Sequence, residues 1–293
     1  MNSSHSQEDI VLSVCCLAYN HEPYIRNALD AFVGQQVRFR MEIIIHDDCS
    51  TDKTTAIIDE YQNKNPELIK VIRQSENQYS LGIKPIFNYV FPAARGKYIA
   101  LCEGDDFWTD PYKLQKQVDF LENNPQYSGA YHATQVMNEI DGTTRLFRPE
   151  LKVQYTAEDT FSTTALFHTS SIVFRTEALL YPHFLKNIVS GDMALFSILT
   201  AYGPLGLVEG VMSVYRKNST GVTESSFIRN SYHEKRIELM QYLNEFHGYR
   251  FQERAKAVIA HHEMALSKDE PKTTRLSSWV NRMRKSLNLR NAK

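Results

Sequence analysis

Two clusters of carboxylates in this sequence each follow a short apolar run. Asp47 and Asp48 come directly after the run at 41–46, and the sequence EGDD, residues 103–106, comes directly after the run at 97–102. Carboxylates repel one another, so clustering them is costly unless a cation compensates. Such a cluster can hold one hard divalent cation and leave positions for two phosphate oxygens. An aspartate nearby can also accept the ring N–H of a nucleobase. The two clusters therefore suggest a nucleotide diphosphate and a metal ion as ligands.

Each cluster also has a simpler interpretation. Asp47 and Asp48 stand before a helical pattern, where Asp, Ser and Thr commonly cap the free N–H groups of a helix start. EGDD could be a solvated turn ahead of Asp110 and Pro111. Other nucleotide-binding motifs are absent, since the sequence has no GxGxxG after its first strand and no GxxxxGK[ST]. Dinucleotide-binding and P-loop classes thus lose most of their support.

The elements that must position these residues alternate between strand-like and helix-like patterns from about residue 10 to 123. This alternation predicts βα units and a mainly parallel sheet. Strands are predicted at 10–18, 41–46, 69–73 and 97–102, and helices near 23–33, up to about 63, at 83–94 and after Pro111. Ligands of open α/β sheets bind beyond the carboxyl ends of the strands, so both acidic clusters are expected to face one crevice.

The second half of the chain follows a different pattern. Asp141-Gly142 between two strand-like runs predicts a hairpin, and TSSIVFR predicts a further strand. We therefore expect a single domain over 1–223, with a nucleotide-binding half at about 10–123 and a mixed α+β acceptor half at about 124–223. Residues 224–293 are predicted to form a helical C-terminal extension.

Composition excludes several classes of protein. The formal net charge of -1 gives no basis for nucleic-acid binding. The four cysteines have no CxxC spacing, which argues against a zinc site or a disulfide framework and favours a reducing compartment. No apolar run approaches the ~18 residues of a membrane span, and the N-terminus does not resemble a secretory signal. A cytoplasmic protein is expected, with at most a peripheral position on the inner face of the cytoplasmic membrane.

Several ordered motifs together resemble the family-two glycosyltransferases, the large inverting class with the GT-A fold. They are LSVCCLAYNHEPYIRNALDAFVGQQ, EIIIHDDCSTDKT and ARGKYIALCEGDDFWTDPYKLQKQ, with weaker agreement through SSIVFR, SGDMALF and SVYRKN. The similarity spans roughly residues 10–220. It implies a GT-A fold, a Rossmann-like mainly parallel sheet flanked by helices. It also implies a nucleotide-sugar donor and a divalent metal, Mn or Mg.

The resemblance also implies roles for individual residues. The residues implied to contact the nucleotide are Ala18, Tyr19, Asn20, Glu22, Asp47, Asp48, Glu103, Gly104 and Arg216. EGDD occupies the place of the family's metal-binding DxD, with Asp105 as the surest ligand and Glu103 or Asp106 as a second contact. Asp192 falls where the family keeps its catalytic base, although an aspartate there could equally cap the helix that follows. Trp108, His132 and His168 are candidates for contacting an acceptor, with core packing as the alternative.

Three departures from the family pattern limit the transfer of roles. Glu103 replaces the usual first Asp of DxD, Gly191 stands where many members have Glu, and Asn218 stands where many have His. Arg216 could contact the diphosphate or form a structural salt bridge.

The expected function is therefore metal-dependent inverting transfer of a sugar, with a UDP-sugar favoured, to an acceptor hydroxyl in bacterial surface polysaccharide synthesis. The alternatives are a nucleotidyltransferase that makes nucleotide sugars and a catalytically silent binding module. The acceptor would be a saccharide or a lipid-linked saccharide.

The tail at 272–293 contains seven Lys or Arg and no acidic residue, in a pattern that predicts a basic amphipathic helix. Membrane contact, a homodimer contact, packing and a frayed tail remain alternatives for it.

Overall fold

The computed structural model describes residues 9–188, 190–218 and 226–269. The chain divides into two compact units, Met1–Gly221 and Val222–Lys293. The predicted boundary at residue 223 stays a prediction. The predicted tail helix at 272–293 lies outside the described residues.

The nucleotide-binding half contains four parallel strands connected by helical segments. Its strands are β1 (Leu12–Ala18), β2 (Met41–Asp47), β3 (Ile69–Arg73) and β4 (Tyr98–Leu101), and its first two helices are α1 (Ile25–Val33) and α2 (Thr54–Lys64). β1 lies between β2 and β4, and β3 pairs with the outer side of β2. The centres of β1 and β2 and all of β4 are apolar, as expected for parallel strands that are covered on both faces. The central residues of β1 and β2 are fully buried.

The predicted helix over 83–94 is replaced by a π-helical turn at Ile86–Val90 and a short turn α3 (Phe91–Ala93). The N–H of Phe91 bonds to the carbonyl oxygen of Ile86, five residues back. Pro92 has no N–H to offer the preceding turn, so a regular α-helix cannot run through this position without losing a hydrogen bond.

The acceptor half completes the sheet with antiparallel and parallel strands. Two elements of the nucleotide-binding half precede it, β5 (Phe107–Trp108) and α4 (Lys113–Asn123). The elements of the acceptor half are β6 (Gly129–Asn138), β7 (Thr144–Leu146), β8 (Gln154–Tyr155), β9 (Val173–Arg175), α5 (Gly191–Tyr202) and β10 (Leu205–Lys217). β9 lies antiparallel between β4 and β6, and β10 runs parallel to β6. The predicted hairpin joins β6 to β7, with Gly142 at φ +71. Within the described residues the order is β3-β2-β1-β4-β9-β6-β10-β5. The sheet is thus mixed and mainly parallel, as the resemblance implies.

The second unit contains two helices that contact each other, α6 (Ser226–Phe246) and α7 (Gln252–Asp269). Gly248 and Tyr249 between them both have φ +61, a left-handed conformation that ends α6 and reverses the chain. Across the described ranges, no helix combines the length and the apolarity needed to cross a bilayer.

Candidate active site

Both acidic clusters lie against the carboxyl end of β1. The N–H of Gly104 donates to Leu17 O at 2.9 Å, and the N–H of Asp48 donates to Ala18 O at 3.0 Å. Gly104 is needed for this close approach, because a Cβ there would lie 2.7 Å from Ile25 Cδ1 and 2.9 Å from His21 Nδ1. The loops after β2 and β4 therefore meet at one edge of the sheet.

Glu103 lies close to Asp192. Its side chain is exposed to solvent although many protein atoms surround it. Desolvation raises the pKa of Glu103 to about 7, and the charges of Asp105 and Asp192 add to this effect. Asp192 is in the first turn of α5, so the acceptor half supplies this carboxylate. The structure thus brings the candidate base together with the EGDD loop.

Asp105 and Asp106 have different environments. The side chain of Asp105 is 23% exposed, and its Oδ2 lies 3.9 Å from His21 Nε2. Asp106 is 1% exposed, its Oδ1 accepts the N–H of Arg216 at 2.9 Å, and its Oδ2 lies 3.7 Å from His168 Nδ1. Burial raises the pKa of Asp106 well above its usual range, with Asp105 and Glu103 acting in the same direction. Asp105 is the more accessible carboxylate of the two, and Asp106 is an internal anchor.

Arg216 is 8% exposed and is held from several directions. Its guanidinium donates to Asp105 O at 3.2 Å and to Asn27 Oδ1 at 3.0 Å. Its Nε lies 3.6 Å from Glu139 Oε1, and the guanidinium carbon stands 4.5 Å from the centroid of the Phe107 ring. These contacts fix the guanidinium beside the EGDD loop.

The loop after β1 is fastened to the loop after β2. Asn20 has φ 54, and its Oδ1 accepts the N–H of Thr51 at 2.8 Å. Glu22 accepts the N–H of Lys53 at 3.2 Å and donates its own N–H to Asp52 Oδ2 at 3.0 Å. Asn20 and Glu22 thus shape the predicted nucleotide pocket through main-chain hydrogen bonds, which explains a polar residue at each position.

Asp47 and Asp48 are both buried and both bonded within the chain. Asp47 accepts from the N–H of Ser50 at 3.0 Å and from Thr55 Oγ1 at 2.5 Å. Asp48 accepts from two main-chain N–H groups of the loop after β3. Asp47 thus holds the loop before α2 through Ser50 and the hydroxyl of Thr55, and it does not cap a main-chain N–H group of the helix.

The three acceptor candidates differ in access. Trp108 is 4% exposed, and its indole N–H donates to Ser170 O at 2.9 Å. His132 is fully buried, with Nδ1 2.8 Å from Ala133 O. Neither side chain reaches a surface where an acceptor would bind, so burial favours packing for both. His168 is 13% exposed, stacks on Tyr215 at 4.4 Å and faces Asp106, so of the three candidates it lies beside the site.

Hard oxygen ligands make the EGDD loop suitable for Mg or Mn. Among the residues that the structure describes, no three His, Cys, Asp or Glu side chains converge as a metal site. Such ions commonly take one or two carboxylates and complete their coordination with substrate phosphates and water. Asp105 with Glu103 fits that requirement.

The sequence analysis does not identify three residues of this region. His21 faces Asp105, and burial lowers the pKa of His21. Its buried Nδ1 has no hydrogen-bond partner within the described part of the chain. Asp52 joins the two loops, and Asn27 accepts from Arg216. The position of His21, directly between Asn20 and Glu22, was the available signal.

Comparison with known proteins agrees with this architecture. The model of glycosyl transferase family 2 matches residues 13–197. An uncharacterised protein of Mycobacterium tuberculosis is 35% identical over 248 residues, which cover 83% of this chain and 70% of that protein. The Escherichia coli enzyme WfaP, a UDP-Glc:α-D-GlcNAc-diphosphoundecaprenol β-1,3-glucosyltransferase, is 32% identical over 124 residues, 41% of this chain and 46% of WfaP.

Two solved structures share the fold. Staphylococcus aureus TarS 1–349 in complex with UDP-GlcNAc gives a TM-score of 0.62 at 17% identity, over 91% of this chain and 78% of that chain. The mannosyltransferase PcManGT of Pyrobaculum calidifontis, in complex with GDP-Man and Mn²⁺, gives a TM-score of 0.53 at 14% identity. The match covers 97% of this chain and 81% of that chain. Since the family model covers well over half of the sequence and the mycobacterial relative aligns with most of it, the chain belongs to glycosyl transferase family 2.

Proposed function

We propose that this protein is a metal-dependent inverting glycosyltransferase that moves a sugar from a nucleotide diphosphate sugar to an acceptor hydroxyl. The observation that carries the proposal is the proximity of Asp192, from the first turn of α5, to Glu103 and Asp105 of the EGDD loop. In this proposal a base supplied by the acceptor half lies beside a metal site supplied by the nucleotide-binding half. UDP is the favoured nucleotide, because both WfaP and the TarS complex carry it in their descriptions.

Asp105 would hold a Mg or Mn ion, with Glu103 as a second contact. When bound, the ion would neutralise negative charge on the departing diphosphate. Arg216 keeps the EGDD loop in place through Asp105 O and the carboxylate of Asp106. Its fixed charge would also favour a phosphate group at the edge of the same loop.

In the proposed displacement, Asp192 accepts the proton of the acceptor hydroxyl. The hydroxyl oxygen forms a bond to the anomeric carbon while the bond from that carbon to the diphosphate oxygen breaks. A single displacement inverts the configuration at the anomeric carbon. A positioned base contributes roughly 100-fold or more to such a step, and aligning donor and acceptor in a crevice that excludes water supplies much of the rest.

Turnover of Asp192→Asn tests the proposal. The variant should lose about 100-fold or more of its transfer rate while donor binding survives, because the amide cannot take the proton. Asp119→Asn is the matched control, since Asp119 is an exposed aspartate of α4 and is paired with Arg38. Transfer by Asp192→Asn at the control rate would leave Asp192 with a capping role only.

A nucleotide-sugar screen separates the competing functions. An active transferase should hydrolyse one nucleotide sugar slowly in a metal-dependent way. A silent binding module would be stabilised by the nucleotide sugar without hydrolysing it. A nucleotidyltransferase would instead consume a sugar phosphate and a nucleoside triphosphate.

We further propose that residues 1–223 form the catalytic domain and that the acceptor is a lipid-linked saccharide of bacterial surface polysaccharide synthesis. The WfaP description names a diphosphoundecaprenol-linked acceptor, which supports this class.

Such acceptors are met at the inner face of the cytoplasmic membrane, where the basic residues of 272–293 would attract anionic lipids. Deleting 272–293 should release the protein from anionic vesicles in a sedimentation assay. A full-length protein that shows no salt-sensitive vesicle binding would assign the tail to packing or to a homodimer.

A further inference from the structure

The acceptor half contains a cleft that none of the candidate site residues lines. Its volume is about 340 Å³, within the roughly 300–1,000 Å³ that is usual for small-ligand sites. One wall is the connection from β7 to β8, and the other is the segment that follows β8. Its lining includes two basic, two acidic and two leucine side chains, which are Arg148, Lys152, Glu150, Asp159, Leu151 and Leu166. The formal charges cancel, so the cleft suits a neutral polar ligand.

Hydrogen bonds hold the two walls of the cleft in place. The guanidinium of Arg148 donates to Ala165 O through Nε at 2.8 Å and through Nη2 at 2.6 Å. Lys152 forms an ion pair with Asp159 of the opposite wall, and its carbonyl oxygen accepts the hydroxyl of the buried Tyr131 in β6. Both walls are therefore fixed by the chain itself, which lowers the entropic cost of binding a ligand between them.

Two charged side chains of the cleft keep polar atoms available for a ligand. Among the residues that the structure describes, Nη1 of Arg148 has no hydrogen-bond partner. Glu150 is exposed and forms no hydrogen bond or ion pair with the described part of the chain. One side chain thus offers donors, and the other offers acceptors. Because every hydroxyl group of a sugar both donates and accepts, a sugar ring suits this pair of side chains.

An aromatic cluster connects the first wall of the cleft to the candidate active site. Phe147, which precedes Arg148, lies edge-on to His168 with ring centroids 5.3 Å apart, and its ring centroid is 6.2 Å from that of Tyr215. His168 Nδ1 lies 3.7 Å from Asp106 Oδ2. Contacts from Phe147 through His168 therefore lead from this wall to the EGDD loop.

The second wall of the cleft contacts the helix that carries Asp192. A turn of 3-10 helix at Ala157–Thr160 belongs to this wall, and Thr160 Oγ1 donates to Ser197 Oγ of α5 at 3.1 Å. Asp192 lies in the first turn of the same helix, roughly 7.5 Å before Ser197 along its axis. Each wall is thus connected to a part of the protein that is proposed to take part in the reaction.

We propose that this cleft binds a sugar residue of the acceptor saccharide, beyond the residue that receives the transferred sugar. Glu150 accepts hydrogen bonds from the hydroxyl groups of this sugar, and Arg148 donates hydrogen bonds to them. The inference rests on the proposed function, since it presupposes that the acceptor is a saccharide. The cleft then contributes to the choice of acceptor, and its contribution is independent of the nucleotide-sugar donor.

Ligand-observed NMR by saturation transfer tests the cleft with a defined set of probes. The probes are the methyl glycosides of glucose, galactose, mannose, rhamnose, N-acetylglucosamine and N-acetylgalactosamine, titrated into the full-length protein. At least one should bind, and Glu150→Ala should weaken its binding about tenfold, as expected for the loss of a hydrogen bond to a charged group. Glu67→Ala is the matched control, because Glu67 is also exposed and also has no partner in the described ranges.

Asp192→Asn separates the cleft from the reacting site. A glycoside in the cleft should bind this variant as tightly as it binds the wild type. A glycoside that loses affinity in Asp192→Asn and keeps it in Glu150→Ala would overturn the proposal, and so would the failure of every probe to bind. The nucleotide-sugar screen gives the separate result for the proposed function. A wild type that binds a glycoside through Glu150 but hydrolyses no nucleotide sugar would contradict the proposed function and leave the cleft as a saccharide site.

Discussion

The main-chain N–H of Arg216 donates to Asp106 Oδ1 at 2.9 Å and so fastens the last strand of the sheet to the EGDD loop. The guanidinium of the same residue donates to Asp105 O at 3.2 Å. One residue of β10 therefore fixes both aspartates. The main-chain position of Asp105 therefore depends on a residue far away in the sequence.

Replacing Arg216 by Lys tests this dependence. Lysine keeps the charge and the main-chain bond to Asp106 but cannot reach Asp105 O and Asn27 Oδ1 together, because it lacks the planar fork. We expect a loss of about 1–2 kcal/mol in the free energy of unfolding and weaker nucleotide binding. Urea denaturation and calorimetry measure the two effects. Arg38→Lys is the control, since Arg38 is 79% exposed and should change stability by only a few tenths of a kcal/mol.

Asp105→Asn tests the metal site. A neutral amide is a weaker ligand for a hard divalent cation than a carboxylate, so the metal-dependent part of nucleotide binding should disappear. The thermal unfolding midpoint should stay close to that of the wild type, because the Asp105 side chain is partly exposed. Titrations of the nucleotide diphosphate with and without Mn or Mg give the answer. Equal metal-dependent affinity in variant and wild type would remove Asp105 from the metal site.

The parallel half of the fold could be predicted from the sequence because its information is local. β1, β2 and β3 begin or end within two residues of their predicted bounds, since apolar runs end at polar turns. The place of β9 between β4 and β6 could not be predicted, because it depends on pairing between distant segments. The π-helical turn at Ile86–Val90 could not be predicted, because its apolar pattern is also that of an α-helix.

In the candidate site, too, local features could be predicted from the sequence and contacts between distant segments could not. Residues that follow strands, such as Asp48 and Asp105, could be located from the order of parallel strands alone. The hydrogen-bond donors to the buried carboxylates could not be predicted. The donors to Asp48 come from an irregular loop, and the donor to Asp106 comes from β10. A sequence pattern identifies which carboxylates are near the crevice. Only the hydrogen bonds decide which of them are free to bind a ligand.

The environment of Glu42 leads us to expect a lower free energy of unfolding in acid. Burial alone would raise the pKa of Glu42, but hydrogen bonds from Arg95, Lys70 and Ser13 outweigh it and lower the pKa to about 2. The folded pKa lies below the unfolded value of roughly 4.3, so the stabilisation is present above that value and is lost as pH falls towards 2.

Glu42→Gln should therefore cost about 1–2 kcal/mol at pH 7, a figure reduced because Lys70 and Arg95 are themselves half-exposed. The difference between the wild type and the variant should shrink between pH 5 and pH 3. Urea midpoints across that range measure it. A difference that stays constant with pH would show that Glu42 contributes through packing alone.

Lys113 makes the stability of the protein depend on pH in the alkaline range. It is fully buried at the start of α4, with Nζ 2.7 Å from Gln117 Oε1 and 4.2 Å from the centroid of the Trp108 ring. Burial lowers the pKa of Lys113 to about 7, although Cys102 and Asp110 act in the opposite direction. The unfolded chain binds this proton up to a pH of roughly 10.4, so between these values it holds more protons than the folded chain.

Stability should therefore rise with pH between about 7 and 10 through Lys113, by up to about 1.4 kcal/mol per pH unit. Lys113→Met, which keeps the buried volume but cannot titrate, should remove this rise. Chemical denaturation of wild type and variant at pH 7, 8 and 9 gives the difference, in which the buried thiols and other groups cancel. Absolute stability is a poorer measure, because the variant leaves Gln117 Oε1 without its donor. Parallel pH profiles would mean that Lys113 keeps its proton in the folded protein, stabilised by Gln117 and the Trp108 ring.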